Sequence, residues 1–373
     1  MNSTFLNQDE FAKQWTSNID QITEKVLQLF FYTKFFPIFS LLFGLGISMQ
    51  ALKMVDENKL SFTFFARRML ILFVFGVLHI VFLWSGDVLN VYAIIGLFTT
   101  LMIKKSNKSI IVLSAIFLFF PFYDQVLEYL FGLLNFQPEM YLNDYTGKTV
   151  NQIIRNGSYL QGVKLRLLEY LSNIPMLFGF LAPIAISMFL LGLYLGKNKI
   201  YKSLNIFIAQ IKKPVLIITI ITNLYRMLFL FVLVKHEIFK VESYREVLIK
   251  IMVLSDVAMG LFYLWAIGWV YYNTKWSKIL LPLKYVGRMA LTNYIMQSLI
   301  GLVLFSSVGF KLYETLSPSK TFLIAILVFI FQIIFSRIWL HYFRFGPLEW
   351  VWRCLTYKKL LPIRTRSTVP NTV

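Results

Sequence analysis

Nine mainly apolar stretches, separated by polar or charged breaks, organise this 373-residue chain and restrict it to folds whose helices cross a bilayer. They run at 35–52, 68–84, 87–103, 109–123, 174–196, 214–234, 251–273, 285–305 and 321–342. The fourth is short, and its apolar character resumes at 126–136 beyond Pro121 and Asp124, which predicts a kink or a re-entrant or interfacial segment. The fold class expected is all-α, a polytopic integral membrane helix bundle with about nine transmembrane helices over 35–342. A segment 1–34 precedes it, an outer loop 124–173 interrupts it, and a basic tail 343–373 with an interfacial helix follows. Composition agrees: 58% of residues are hydrophobic, 15% charged, and the mean hydropathy of +0.66 is too high for a domain with a solvated surface.

Charge sets the expected orientation. The formal balance is +19, which in a soluble chain would raise the question of nucleic acid. Placing the loops alternately puts 21 basic residues on the side of 53–67, 104–108, 197–213, 274–284 and the C-terminal tail, against 13 on the other side. Acids reinforce this, since only Asp56, Glu57 and Glu349 share the basic side. The richer side should be cytosolic, attracted by the anionic inner leaflet. The partner implied is therefore the lipid bilayer, nucleic acid is an unnecessary explanation, and the location is the cell membrane, multi-pass, with a cytosolic C-terminus. Nine spans put the N-terminus outside, although residues 1–34 hold no signal peptide or apolar start. Either that weakly acidic tail crosses unaided or a preceding helix is missing. In the outer loop, 149–170 has the pattern of an amphipathic surface helix or a lid.

Several residue classes bear on chemistry. One cysteine, Cys354, excludes an internal disulfide, and three scattered histidines give no zinc-ligand spacing, so no metal is expected. No Walker loop, dinucleotide fingerprint or His-Glu-x-x-His run is present. His79 and Asp87 face each other across the shortest hairpin in the chain. A carboxylate beside an imidazole fixes its tautomer and raises its basicity, as a general base requires; a helix cap beside a structural histidine is the alternative. Arg226 and Asp256, near the outer ends of adjacent spans, are expected to form an intramembrane ion pair, either structural or part of an outer polar pocket with His79 and Asp87. Ala290, Asn293, Gln297 and Gly301 make one small-and-polar stripe. It serves helix packing, or, with Arg288 as a phosphate-binding group, lines a cytosolic passage for an anionic donor. Gly44 and Gly46, with Ser40 and Ser48, predict close packing. Trp350, Trp352 and Tyr357 beside Arg353, Lys358 and Lys359 read as a helix lying on the inner leaflet.

Two groups of motifs resemble one family. The run 34–46, then Arg67-Arg68 through Gly76 and His79 to Trp84-Ser85-Gly86-Asp87-Val88-Leu89, is similar to the N-terminal part of the YeiB-like bacterial membrane proteins (domain of unknown function 418). Gly287-Arg288-Met289-Ala290-Leu291-Thr292-Asn293-Tyr294 with Gln297-Ser298, then Phe345-Gly346-Pro347-Leu348-Glu349-Trp350 and Trp352-Arg353, resembles its C-terminal part. The Arg-Gly-containing first transmembrane helix usual in that family has no counterpart here. The family has no established activity, but its fold is grouped with transmembrane acyltransferases, so the resemblance implies acyl transfer from cytosolic acyl-CoA to an acceptor outside. The residues by themselves name no cofactor, and they leave the oligomeric state open.

An acyltransferase-like enzyme, a transporter of a small solute or lipid, and a membrane scaffold are thus the functions in competition. The topology itself is directly testable. Reporters at the C-terminus and at Ser203 should be cytosolic and one at Asn143 external; a cytosolic Asn143 reporter would reverse the orientation.

Overall fold

The computed structural model describes residues 11, 13–57, 59–120 and 122–364. Its helices are α1 (Asn18–Phe30), α2 (Phe35–Asp56), α3 (Phe62–Phe82), α4 (Leu89–Leu101), α5 (Asn107–Phe119), α6 (Tyr123–Leu133), α7 (Gly147–Asn156), α8 (Tyr159–Ser172), α9 (Ala182–Lys197), α10 (Leu204–Gln210), α11 (Lys212–Phe231), α12 (Glu242–Asn273), α13 (Ser277–Leu280), α14 (Leu283–Arg288), α15 (Ala290–Phe305), α16 (Pro318–Tyr342) and α17 (Pro347–Tyr357). Among the described residues there is no strand, only an isolated bridge between Phe343 and Arg364. The fold is an all-α polytopic bundle.

All nine apolar stretches are helical, but they are not nine equal spans. Six helical stretches are long and apolar enough to cross a membrane, and two sharply bent pairs, α5 with α6 at 82° and α14 with α15 at 80°, bring the number to eight. Pro121, expected at the first bend, lies outside the described residues. The remaining stretch, 87–103, forms α4, whose 13 residues reach about 20 Å at ~1.5 Å per residue. Its length need not match the bilayer, because Leu89, Val91, Tyr92, Ala93 and Ile95 are buried in protein. The second bend has a local cause. Met289 leaves helical geometry, its amide bonding back to the Val286 carbonyl at 3.0 Å, and the Asn293 side chain donates to the same carbonyl at 3.3 Å.

Glycine sets the tightest helix pair. A β-carbon at Gly44 of α2 would collide with the Phe189 carbonyl of α9, and one at Gly192 with the Leu41 carbonyl, so the backbones touch where side chains are missing. Ser48 completes the seam by donating to the Leu193 carbonyl at 3.2 Å. Gly46, expected on the same face, points into open space, because two residues along a helix turn it about 200° away from Gly44. Beside this seam α17 is docked, with Trp352 stacked on Phe43. Trp352 is buried, donates to the Arg68 carbonyl at 2.9 Å and carries the Arg68 guanidinium 3.8 Å above its ring, while Glu349 accepts from the Thr292 amide and hydroxyl.

Replacing Gly192 by Leu should force α2 and α9 apart and cost about 1–3 kcal/mol or more, seen as a lowered melting temperature in detergent. Gly46→Leu should leave that temperature nearly unchanged.

Candidate functional site

The loop 83–88 that joins α3 to α4 brings His79 and Asp87 together at one end of the bundle, here termed the hairpin end. His79 Nδ1 and Asp87 Oδ1 lie 2.9 Å apart, both residues fully or almost fully buried. Asp87 also caps α4, its Oδ2 accepting from the Asn90 amide at 3.0 Å, and Tyr294 of α15 donates its hydroxyl to Oδ1 at 3.3 Å. Rings enclose the imidazole, with Tyr294 at 5.0 Å and Trp84 edge-on at 6.4 Å. His79 Nε2 is buried with no partner among the described residues. Gly76 makes room for the carboxylate, since a β-carbon there would stand 2.7 Å from Asp87 Oδ2.

Against this loop lies a cavity of about 370 Å³, with Trp84, Ser85, Gly86 and Val88 in its wall. The remaining wall comes from α8, the π-helical turn Met176–Leu181 that leads into α9, the end of α15, and residues 306–308. The amphipathic helix expected at 149–170 is two helices, broken at Gly157–Ser158, where Ser158 and Gln161 form a capping box. These helices are tied down as a cover: Tyr159 donates to the Phe82 carbonyl at 2.7 Å, Arg166 Nε to the Val81 carbonyl at 3.2 Å, and the Ser307 amide to the Ile154 carbonyl at 2.7 Å. Glu169 is buried at the cavity and accepts the Ser85 hydroxyl at 2.7 Å. Burial pushes its carboxyl up, opposed by the Ser85 hydrogen bond, and burial likewise lowers Arg166. Sequence reasoning singled out neither residue, although both lie in the 149–170 stretch expected to be an amphipathic helix or a lid. Their spacing of three on a helix next to Gly162 was the available signal.

Arg226 and Asp256 form the expected ion pair, Nε to Oδ1 at 3.0 Å, but Lys34 joins it with Nζ 2.9 Å from the same oxygen. Thr33 donates to Asp256 Oδ2 at 2.5 Å from a left-handed backbone, φ 68°, an unfavourable state for a β-branched residue. Lys34 Nζ also donates to the Gln28 carbonyl, and Arg226 to Asn223 Oδ1 and the Leu29 carbonyl. Gly260 lets the 31–34 turn approach, because a β-carbon there would sit 2.5 Å from the Lys34 carbonyl. The cluster therefore fastens the α1–α2 turn to α11 and α12. It shares no hydrogen-bond or ion-pair partner with His79 and Asp87, so the two pairs stand in separate clusters.

The α15 stripe meets α16. Asn293 donates to Ser336 at 2.9 Å, Gln297 to Gln332 Oε1 at 2.8 Å, and Gln332 in turn to the Asn293 carbonyl at 2.8 Å. Arg288 stands apart from this amide ladder, exposed at the α14–α15 bend and donating to the Arg344 carbonyl at 3.0 Å. Among the described residues no group of three or more His, Cys, Asp or Glu side chains is arranged to hold a metal ion.

Residues 195–359 match the model of a family described as a protein of unknown function (DUF418). The uncharacterized protein YxaH of Bacillus subtilis (strain 168) is 27% identical over 375 residues, covering 98% of this chain and 90% of the relative. An uncharacterized 39.9 kDa protein in the amylase 3' region of Bacillus acidopullulyticus is 27% identical over 359 residues, 93% of this chain and 86% of its own length. The uncharacterized protein YeiB of Escherichia coli (strain K12) is 42% identical over 91 residues, 24% and 23% of the two chains. No solved structure matches the chain.

Removing the carboxylate that two cations share should be severe. Asp256→Ala leaves Lys34 and Arg226 buried without their counter-charge, a loss of about 3–5 kcal/mol readable as a lowered melting temperature. Adding Lys34→Met should restore part of it, and no restoration would mean that the cluster does not carry the stability.

Proposed function

We propose, for a multi-pass membrane protein whose residues 195–359 match the DUF418 family, an acyltransferase-like activity. It moves an acyl group from a cytosolic donor to an acceptor held in the hairpin-end cavity, on the extracytoplasmic side. The observation that supports this best is a buried imidazole held through Nδ1 by Asp87, with Nε2 left without a partner among the described residues. When Asp87 holds the Nδ1 proton, the lone pair lies on Nε2, which takes a proton from an attacking hydroxyl or amine. Asp87 stabilises the resulting imidazolium, and the same Nε2 proton passes to the departing thiolate of a thioester donor. Trp84 is both edge-on to His79 and part of the cavity wall, so rotation of this one side chain joins base and acceptor.

On the donor side, Arg288 is the residue offered to phosphate oxygens, through the guanidinium N–H groups not bonded to Arg344. Asn293 and Gln297 hold α15 to α16 and so keep that bend in place. A transporter is the alternative reading, centred on the buried Lys34, Asp256 and Arg226.

One assay separates these readings. With labelled acyl-CoA and reconstituted protein, His79→Gln should fold and insert normally but lose about 10²- to 10⁴-fold in acylated product. Wild-type turnover by this variant would remove His79 as the base. Solute flux with no chemical product would favour transport.

A further inference from the structure

The geometry points to a hydroxyl-bearing amphiphile as the ligand of the hairpin-end cavity, its head group held between Arg166 and Glu169 and its chain against the apolar wall. Calling this ligand the acyl acceptor rests on the proposed function; its binding does not.

Arg166 and Glu169 are three apart on α8, on one helix face, and both line the cavity. Each feels the charge of the other, but no direct ion pair joins them. Arg166 spends Nε on the Val81 carbonyl and Glu169 spends Oε2 on Ser85, leaving Arg166 Nη2 and Glu169 Oε1 buried without partners among the described residues. Nearly all buried polar groups in proteins are paired, so a donor and an acceptor left over on two residues of one cavity wall describe the head group that would complete them once their side chains turn to the cavity. An anion would meet Glu169 and a cation would meet Arg166. A hydroxyl accepts from Nη2 and donates to Oε1, satisfying both without a charge of its own.

The rest of the wall is mainly apolar, with Leu83, Val88, Leu177, Leu302 and Phe305 among its residues, and suits a hydrocarbon chain, in the usual pattern of a mostly apolar pocket with few polar groups. Ser85 ties Glu169 to the same loop whose Asp87 holds His79. The head group would thus be held at the loop that carries Asp87, the partner of the proposed base.

The test is equilibrium binding of tritiated 1-oleoylglycerol to the full chain in nanodiscs, corrected with empty nanodiscs, with methyl oleate, oleate and oleylamine as competitors. Saturable binding is expected, with methyl oleate at least about tenfold weaker, the scale of one lost net hydrogen bond, and both charged competitors weaker than 1-oleoylglycerol. Arg166→Met and Glu169→Leu should each weaken binding by about tenfold. Gly162→Leu, whose β-carbon meets only Arg166 Nη1 at 3.3 Å, should abolish it by filling the wall. Equal competition by methyl oleate and unlabelled 1-oleoylglycerol on the unaltered protein would overturn the inference with no variant needed, and so would full affinity in Gly162→Leu. His79→Gln should bind normally; normal binding with full turnover would sink the base and leave this site standing.

Discussion

Three helices at the hairpin end depend on the carboxylate of Asp87. One of its oxygens takes the free amide at the start of α4, and the other faces His79 of α3 and the Tyr294 hydroxyl of α15. A buried carboxylate with one partner would be costly, and these contacts replace the water it has lost. Because separate oxygens serve the cap and the imidazole, helix capping and histidine orientation are not competing explanations of Asp87. Gly76 is part of the same construction, since any side chain there would strike the carboxylate or the Asn90 backbone.

Elsewhere the bundle uses two solutions to one difficulty, that lipid gives helices no hydrophobic reason to associate. Along α2 and α9, glycines let backbones meet and dispersion replaces side-chain bulk. Along α15 and α16, the Asn293, Gln297, Gln332 and Ser336 side chains bond to one another or to backbone across the seam. The first solution tolerates no added carbon at Gly44 or Gly192; the second depends on hydrogen-bond direction.

Hydropathy made the helical stretches legible because each bilayer crossing demands its own apolar run, and the short hairpin made His79 and Asp87 legible because few residues separate them. Distance in sequence hid the rest. Lys34 looked like one more charge in a polar leader, yet it closes an ion cluster with Asp256, 222 positions away. The break at Met289 left no mark in the hydropathy, since the 285–305 stretch runs mainly apolar across it. Arg166 and Glu169 were hidden by context: in an amphipathic surface helix or a lid a charge is ordinarily solvated, and only the fold shows the cavity beside these two.

The two charged clusters differ in how completely they are closed, and that difference distinguishes an anchor from a site. Lys34 and Arg226 face Asp256 and also bond to α1 carbonyls and to Asn223 of α11, an arrangement that holds a turn. Around the 83–88 loop, by contrast, His79 Nε2, Arg166 Nη2 and Glu169 Oε1 are all buried and unpartnered among the described residues. Unmet polar groups weaken a fold, and here they belong to residues of the cavity wall and to the imidazole next to Trp84. Their cost is compensated by the cover helices, whose Tyr159 and Arg166 bonds to the Phe82 and Val81 carbonyls tie them to the end of α3. The same bonds that bury the unmet groups also fix the cavity against the loop, so a change in the cover would alter both the shape of the pocket and the seclusion of the imidazole.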